Sequence, residues 1–225
     1  MRYFVRCKYN GTRYHGWQAQ KNTDDTIQGY IQRSLNVFIP DAGEIIGCGR
    51  TDTGVHASDY YFHFDALDYD TGLMKYKLNS ILPNDILVST IMIVHDGAHS
   101  RYDANLRAYE YHLIGERDPF RLDTTYRHPQ LEKISLHKLN KAAKLLLDYE
   151  DFETFCKNGS DEKTKKCTVY SSEWSATDVG YLYRIEANRF LRGMIRLIVG
   201  MCINVARDHI DYDDVKYALD HQSRL

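Results

Sequence analysis

The 225-residue sequence lacks an excess of positive charge, so it does not predict the uniformly basic surface that marks many nucleic-acid-binding proteins. Its 29 Lys and Arg residues are balanced by 31 Asp and Glu residues, which gives a formal net charge of -2 at pH 7. Proline and glycine are also scarce, at 4 and 14 residues, which excludes a collagen-like or linker-rich chain. Any contact with nucleic acid must therefore come from basic residues that cluster locally.

Paired cysteines and long apolar runs are missing as well. The 5 cysteines lie far apart, without the two-residue spacing typical of zinc sites and redox pairs, so we expect reduced thiols. The N-terminus has no apolar stretch typical of a signal peptide, and the longest apolar segment, 190–206, is interrupted by Arg192 and Arg196. These features predict a cytoplasmic protein without a membrane role.

The sequence does contain enough apolar residues, 43%, for a folded core, and their spacing predicts both strands and helices. Alternation and neighbouring turn residues predict strands at 2–9, 44–48, 60–64, 107–114, 165–175 and 181–187, and a run of branched apolar residues predicts a buried strand at 86–94. Helical spacing predicts helices from Thr26 to a point before Pro40, at 73–82, after an N-cap at Ser135, at 189–205 and at 212–219. This order predicts an α+β fold of two similar, sandwich-like halves, 1–105 and 106–225, with a central antiparallel or mixed sheet and an active-site cleft between them.

The most unusual local sequence is segment 47–57, Gly-Cys-Gly-Arg-Thr-Asp-Thr-Gly-Val-His-Ala. Glycines on both sides of Arg50 and Asp52 favour a tight turn that presents the carboxylate, and such turns commonly carry reactive groups. An ordinary loop, in which the Asp52 side chain caps its own turn, explains the same pattern.

Three other kinds of site can be compared with this segment. A dinucleotide-binding fingerprint requires a glycine where Asp52 stands. An aspartic protease uses Asp-Thr-Gly but needs two carboxylates, so only a dimer with one triplet in each subunit would fit. A metal site could recruit Asp52, His56 and His63, although their spacing does not fix a geometry.

An arginine cluster lies near the C-terminus. On the predicted helix 189–205, Arg189, Arg192 and Arg196 would occupy a sector of about 60°. Arginine suits bidentate pairing with a carboxylate or a phosphate. A solubilising helix face accounts for the same residues.

A basic and aromatic segment, 99–111, leads into a predicted strand. Arg101 precedes the strand, on which Arg107, Tyr109 and Tyr111 share one face. Such residues can neutralise phosphate and stack on a base. Half-buried packing of a strand face is the alternative interpretation.

Taken together, these segments resemble the TruA family of tRNA pseudouridine synthases over nearly the whole chain. The matching blocks are Tyr9-Asn10-Gly11 with Tyr14, Gly16-Trp17-Gln18, Thr26-Ile27-Gln28, Gly49 to Ala57, His63-Phe64, Leu82-Pro83, Arg107 with Tyr109 and Tyr111, Asp151-Phe152, Asn188, Phe190-Leu191, Met194-Ile195-Arg196 and Val199-Gly200. Chance does not produce so many blocks in one order.

The resemblance implies a role for each of four residues. Asp52 matches the catalytic aspartate, and Arg196 matches the arginine that pairs with it. Arg50 is expected to help extrude the target base, and Tyr109 is expected to stack on it. A carboxylate nucleophile can attack either uracil C6 or ribose C1′, and the sequence leaves both open.

The resemblance also implies the reaction and the partner. We expect isomerisation of uridine to pseudouridine at positions 38, 39 and 40 in the anticodon arm of tRNA, by a homodimer that uses no metal and no cofactor. Arg101 and Arg107 are expected to bind the RNA, largely through its shape and phosphates. A non-catalytic RNA-binding or RNA-folding protein is the alternative.

The sequence departs from the family pattern at a few positions. Thr53 stands where alanine is more common, and Ala98 and Ser100 replace a phenylalanine and an alanine before Arg101. Family members usually finish with an apolar strand, whereas the printed sequence stops at Leu225. We therefore expect either a shortened C-terminal half or a last strand outside the printed sequence.

Overall fold

The chain folds into two compact units in the computed structural model, which describes residues 1–157, 159 and 163–225. The N-terminal unit is Met1–Ala104 and the C-terminal unit is Asn105–Leu225. Each unit combines a β-sheet with helices and has its own hydrophobic core. The predicted α+β fold in two halves is therefore confirmed.

An antiparallel four-stranded sheet forms the N-terminal unit, all of whose residues are described. Its elements are β1 (Arg2–Tyr9), α1 (Ile27–Asn36), β2 (Ile46–Gly47), β3 (Ala57–Asp65), α2 (Thr71–Ile81) and β4 (Ile86–Val94), and the strand order is β2-β3-β1-β4. Alternation along β1 buries Tyr3, Val5 and Cys7 on one face. Thr26 caps α1, because its side chain accepts a hydrogen bond of 3.2 Å from the Gly29 N–H.

A mixed sheet forms the C-terminal unit in its described part. Its elements are β5 (Arg107–Ile114), β6 (Tyr126–Arg127), α3 (Leu136–Lys144), β7 (Val169–Thr177), β8 (Gly180–Ala187), α4 (Met194–Ala206) and α5 (Tyr212–Asp220), with short 3₁₀ helices at Leu131–Lys133, Leu145–Asp148 and Glu153–Phe155. The strand order is β6-β5-β8-β7, and only β6 runs parallel to its neighbour. Ser135 caps α3 as predicted. Trp174 and Tyr183 stack in the core with ring centroids 4.9 Å apart.

The two sheets share one arrangement of strands. In each unit the first strand, β1 or β5, precedes a helix, α1 or α3, which is followed by a pair of antiparallel strands, β2 and β3 or β7 and β8. The second strand of that pair returns antiparallel beside the first strand. The units differ on the other side of the first strand, where the nine-residue β4 runs antiparallel but the two-residue β6 runs parallel. The resemblance between the halves therefore lies in topology.

The predicted helix from 189 to 205 is wrong at its start. Helix α4 begins at Met194, and Arg189 and Arg192 precede it. Gly193 adopts the left-handed conformation, with φ +73°, and this breaks any helix that would continue through it. The proposed arginine edge is therefore not a helix face, since only Arg196 lies on α4. Neither α4 nor any other helix in the described ranges is long and apolar enough to cross a membrane.

A buried histidine connects the N-terminal sheet to the loop that follows β4. His63 lies on β3 opposite Phe4 of β1, is 1% exposed, and stacks on that ring at 5.6 Å. Its Nδ1 atom is 2.8 Å from Ser100 Oγ. Burial, together with the nearby charges of Arg2 and His99, lowers the pKa of His63 to about 4. The imidazole is therefore neutral in the folded protein at neutral pH.

We predict that acidification from pH 7 to pH 5 lowers the free energy of unfolding by about 1–2 kcal/mol through His63 alone. The unfolded chain binds this proton near pH 6.5, but the folded chain binds it only near pH 4, so stability falls as the pH drops between these values. His63→Phe keeps a ring in the site and removes the titration. Urea unfolding of both proteins at the two pH values measures the effect, and an equal pH dependence would contradict the assignment.

Candidate active site

The loop that carries Arg50 and Asp52 joins β2 to β3. Both side chains are exposed, and Gly54 adopts the left-handed conformation with φ +77°. The turn closes through the backbone, because the Val55 N–H donates to the Asp52 carbonyl oxygen at 3.1 Å. Within residues 1–104, all of them described, the Asp52 carboxylate accepts no hydrogen bond. Asp52 therefore does not cap its own turn, and its carboxylate is presented outward.

The segment after β1 fixes the middle of this loop. The Trp17 N–H donates to the Thr51 carbonyl oxygen at 3.1 Å, and Tyr9 Oη lies 2.9 Å from Thr51 Oγ1. A Cβ atom on Gly16 would lie 2.4 Å from the Thr51 carbonyl oxygen, and Gly16 has φ +92°. Only glycine combines that conformation with so close a backbone contact. The residue next to Asp52 is thus held on two sides.

The same segment also fixes the end of the loop. The Gly11 N–H donates to His56 Nδ1 at 3.0 Å, and the Gly54 N–H donates to the Tyr14 carbonyl oxygen at 3.3 Å. A Cβ atom on Gly11 would lie 2.0 Å from the Val55 carbonyl oxygen, so the two backbones are in direct contact. His56 Nδ1 therefore acts as a hydrogen-bond acceptor that supports the loop.

A buried aromatic pair supports the start of the loop. Tyr60 and Trp17 pack with ring centroids 4.1 Å apart, and the Tyr60 hydroxyl donates to the Gly49 carbonyl oxygen at 2.5 Å. Burial raises the pKa of Tyr60, which keeps this hydroxyl protonated as a donor. A Cβ atom on Gly47 would lie 2.2 Å from the Tyr60 hydroxyl. Glycine at this position therefore lets the strand pass over the aromatic pair.

The metal site considered from the sequence is not assembled. His63 is buried and faces Ser100, whereas His56 Nδ1 accepts from Gly11 and Asp52 is exposed. In the described residues, no three His, Cys, Asp or Glu side chains are arranged to hold a metal ion.

Arg101 lies in the same unit as Asp52, on the loop that follows β4. Its side chain is exposed, and its N–H donates to His99 Nδ1 at 3.2 Å. The Asp103 carboxylate accepts from the His99 N–H at 2.7 Å. These bonds form a compact turn around Arg101, so its backbone direction is fixed.

Strand β5 of the C-terminal unit carries Arg107 and Tyr109 on one face. Both are half-buried. Arg107 Nη1 donates to the Asn188 carbonyl oxygen at 2.7 Å, and the Tyr109 ring meets the Phe190 ring edge-on at 5.2 Å. The supporting roles of Asn188 and Phe190 were not predicted from the sequence, because residue 190 was expected to lie in a helix, whereas α4 begins at Met194.

Arg196 lies in the first turn of α4 and is exposed. Burial raises the pKa of Tyr111 on β5, the neighbouring Tyr126 adds to the shift, and the Arg196 guanidinium opposes it. Arg196 is therefore within electrostatic range of the Tyr111 hydroxyl. Within the C-terminal unit, Arg196 therefore lies near β5, the strand that also carries Arg107 and Tyr109.

Comparison with known proteins gives consistent matches. A model of the tRNA pseudouridine synthase family matches residues 142–225. The chain is 40% identical to tRNA pseudouridine synthase A of Bacteroides fragilis over 228 residues, covering 99% of this chain and 88% of that protein. It is 38% identical to the protein of the same name from Azobacteroides pseudotrichonymphae, covering 100% of this chain and 89% of that protein. The corresponding protein of Bacteroides thetaiotaomicron is also 38% identical, with coverage of 99% and 83%.

These relatives match almost the whole chain, and the family model matches part of the C-terminal unit. The chain therefore belongs to the tRNA pseudouridine synthase A family.

Proposed function

We propose that this protein is a tRNA pseudouridine synthase, an isomerase that converts uridine to pseudouridine in the anticodon arm, at positions 38, 39 and 40, with Asp52 as its nucleophile. The observation that carries the proposal is the Asp52 loop. Its turn is closed by backbone groups and braced by buried rings, which leaves the carboxylate exposed and without a hydrogen bond within residues 1–104. Family membership supplies the substrate class.

The reaction is an isomerisation, so atoms balance within one nucleotide. The bond from uracil N1 to ribose C1′ breaks, the base turns, and a bond from C5 to C1′ forms. The hydrogen on C5 leaves as a proton, and N1 gains one. Asp52 forms a transient bond to uracil C6 or to ribose C1′ and is released unchanged.

The target uridine must leave the RNA stack before Asp52 can reach it. Extruding a base costs a few kcal/mol, which contacts with the everted nucleotide must offset. Arg50 lies two residues before Asp52 on the same exposed loop, which supports its proposed role in holding the base outside the helix. Tyr109 is proposed to stack on the base, because Phe190 fixes its ring edge-on and it remains half-buried.

Arginines are proposed to supply the remaining contacts. Arg196 is proposed to pair with the Asp52 carboxylate during catalysis. Arg101 and Arg107 are proposed to bind phosphates of the RNA backbone. A guanidinium binds a carboxylate or a phosphate through two parallel hydrogen bonds. Because the chain has a net charge of -2, such local groups rather than the overall charge must attract the RNA.

The cellular setting follows from the same proposal. tRNA is the partner, and we propose a homodimer that acts in the cytoplasm without a metal or a cofactor. Recognition of several neighbouring uridines favours contacts to phosphate and to RNA shape over contacts to base edges.

We predict that Asp52→Asn abolishes pseudouridine formation and changes tRNA affinity by less than about tenfold, or about 1.4 kcal/mol. The amide keeps the shape of the side chain but cannot act as the nucleophile. Release of tritium from tRNA labelled at uridine C5 measures turnover, and filter binding measures affinity. Asp68→Asn, at another exposed aspartate of the same unit, should turn over normally. Normal turnover by Asp52→Asn would show that this carboxylate is not the nucleophile.

We predict that Arg196→Gln slows the single-turnover rate by about tenfold to a hundredfold, the range expected for one charge-assisted hydrogen bond. The melting temperature should not change, because the side chain is exposed. Arg196→Lys should recover part of the rate, since lysine keeps the charge but not the planar fork. Arg192→Gln, at an exposed arginine outside α4, is the control and should react at the normal rate. An unchanged rate in Arg196→Gln would reject its role.

A further inference from the structure

A buried serine lies next to the exposed Arg101. Ser100 is only 4% exposed, and its hydroxyl donates to the Ile46 carbonyl oxygen at 2.8 Å. Ile46 belongs to β2, the strand that enters the Asp52 loop. One hydroxyl therefore joins the loop that carries Arg101 to the strand that enters the Asp52 loop.

His63 completes this junction from β3. It pairs with Ile46 across the β2–β3 ladder, and the Ser100 N–H donates to His63 Nδ1 at 3.2 Å. The Ser100 hydroxyl lies 2.8 Å from the same nitrogen. Ser100 is thus bound through both its backbone and its side chain to a strand pair that sits in the sheet.

The rest of the loop is tied down on either side of Ser100. Arg2 Nη1 donates to the Ala98 carbonyl oxygen at 2.8 Å, and the His99 ring meets the His63 ring edge-on at 4.7 Å. The Tyr102 ring also packs against His99, with ring centroids 4.2 Å apart. Arg101 is therefore an exposed cation on a rigid turn whose deepest anchor is the Ser100 hydroxyl.

We propose that Ser100 is a positioning residue for RNA binding, which holds Arg101 in a fixed place relative to the strand that leads to Asp52. The inference rests on the proposed function only for the identity of the ligand. A cation on a preorganised turn binds a phosphate without first losing conformational freedom. Removing the hydroxyl releases the turn from β2 and leaves the Ile46 carbonyl without this donor.

A double-mutant cycle tests this coupling. Ser100→Ala, Arg101→Ala and the double variant are compared for binding of an unmodified anticodon stem-loop RNA at several salt concentrations. Arg101→Ala should reduce the slope of log Kd against log salt by about one, as expected for one lost phosphate contact. Ser100→Ala should weaken binding by about threefold to tenfold and lower the slope in the same direction. In the Arg101→Ala background, the serine substitution should change binding by less than about twofold.

Two further variants separate positioning from stability. Ser89→Ala removes another serine hydroxyl of the same unit, one that is buried without a hydrogen-bond partner in the described residues, and it should bind RNA normally. His63→Phe keeps the ring packing but removes the nitrogen that faces Ser100, so its effect on binding should also vanish in the Arg101→Ala background. Thermal melting of every variant identifies any that fails to fold.

The proposal would be overturned if Ser100→Ala weakened RNA binding equally with Arg101 present and with Arg101 replaced by alanine. It would also be overturned if Ser100→Ala left the slope of log Kd against log salt unchanged. If the protein without substitutions did not bind the stem-loop RNA, both the role of Ser100 and the proposed function would be overturned. Failure of the catalytic proposal alone would appear differently, as normal RNA binding without release of tritium from uridine C5. The double-mutant cycle measures RNA binding and not catalysis, so a loss of catalysis alone would leave the conclusion about Ser100 unchanged.

Discussion

The close approach of two backbones at Gly16 and Thr51 is the constraint on which the candidate site depends. A Cβ atom at Gly16 would lie 2.4 Å from the Thr51 carbonyl oxygen, and a Cβ atom at Gly11 would lie 2.0 Å from the Val55 carbonyl oxygen. These contacts let the segment after β1 lie directly against the Asp52 loop, where its N–H groups can reach loop oxygens and the His56 nitrogen. A loop held by backbone contacts of this kind has few alternative conformations, so the direction of the Asp52 side chain follows from the packing of its neighbours.

In the Asp52 loop, the groups that hold the turn together are different from the group that is proposed to react, so the carboxylate can be exposed and still be well placed. Backbone groups and buried hydroxyls satisfy the hydrogen bonds of the turn, including the bond from Tyr60 to the Gly49 carbonyl oxygen. The acid therefore contributes nothing to the turn and can be used in chemistry. If the Asp52 carboxylate had capped its own turn, substrate binding would have had to break that bond first. The fold thus separates structural hydrogen bonds from the group that is proposed to react.

The sequence predicts the elements whose signals are local and misses those that depend on distant contacts. Alternation in β1 and β5 and the branched apolar run in β4 end at recognisable turns, so these three strands have the predicted bounds, and the N-cap predicted at Ser135 is confirmed. The start of α4 was wrong because apolar periodicity continues through residues 190–193, while the left-handed Gly193 sets the boundary. The two-residue β6 pairs with β5, and Ser100 bonds to Ile46, through contacts between separate segments of the chain. No sequence pattern near β6 or near Ser100 indicates these partners. The glycines at 11 and 16 were visible, but which backbone they approach was not.

A nearly neutral chain can bind a polyanion when its positive and negative charges are unevenly distributed over the surface. On the central strands β1 and β3 of the N-terminal sheet, Arg2 pairs with Asp65 and Arg6 pairs with Asp59. In the C-terminal unit, Arg184 bridges two glutamates. Exposed pairs of this kind add little stability, but each one cancels an acid that would otherwise repel phosphate. Arg50 and Arg101 add positive charge on exposed loops of the N-terminal unit. Attraction of RNA therefore depends on which acids are neutralised and on how rigidly these two loops are held, rather than on the total charge.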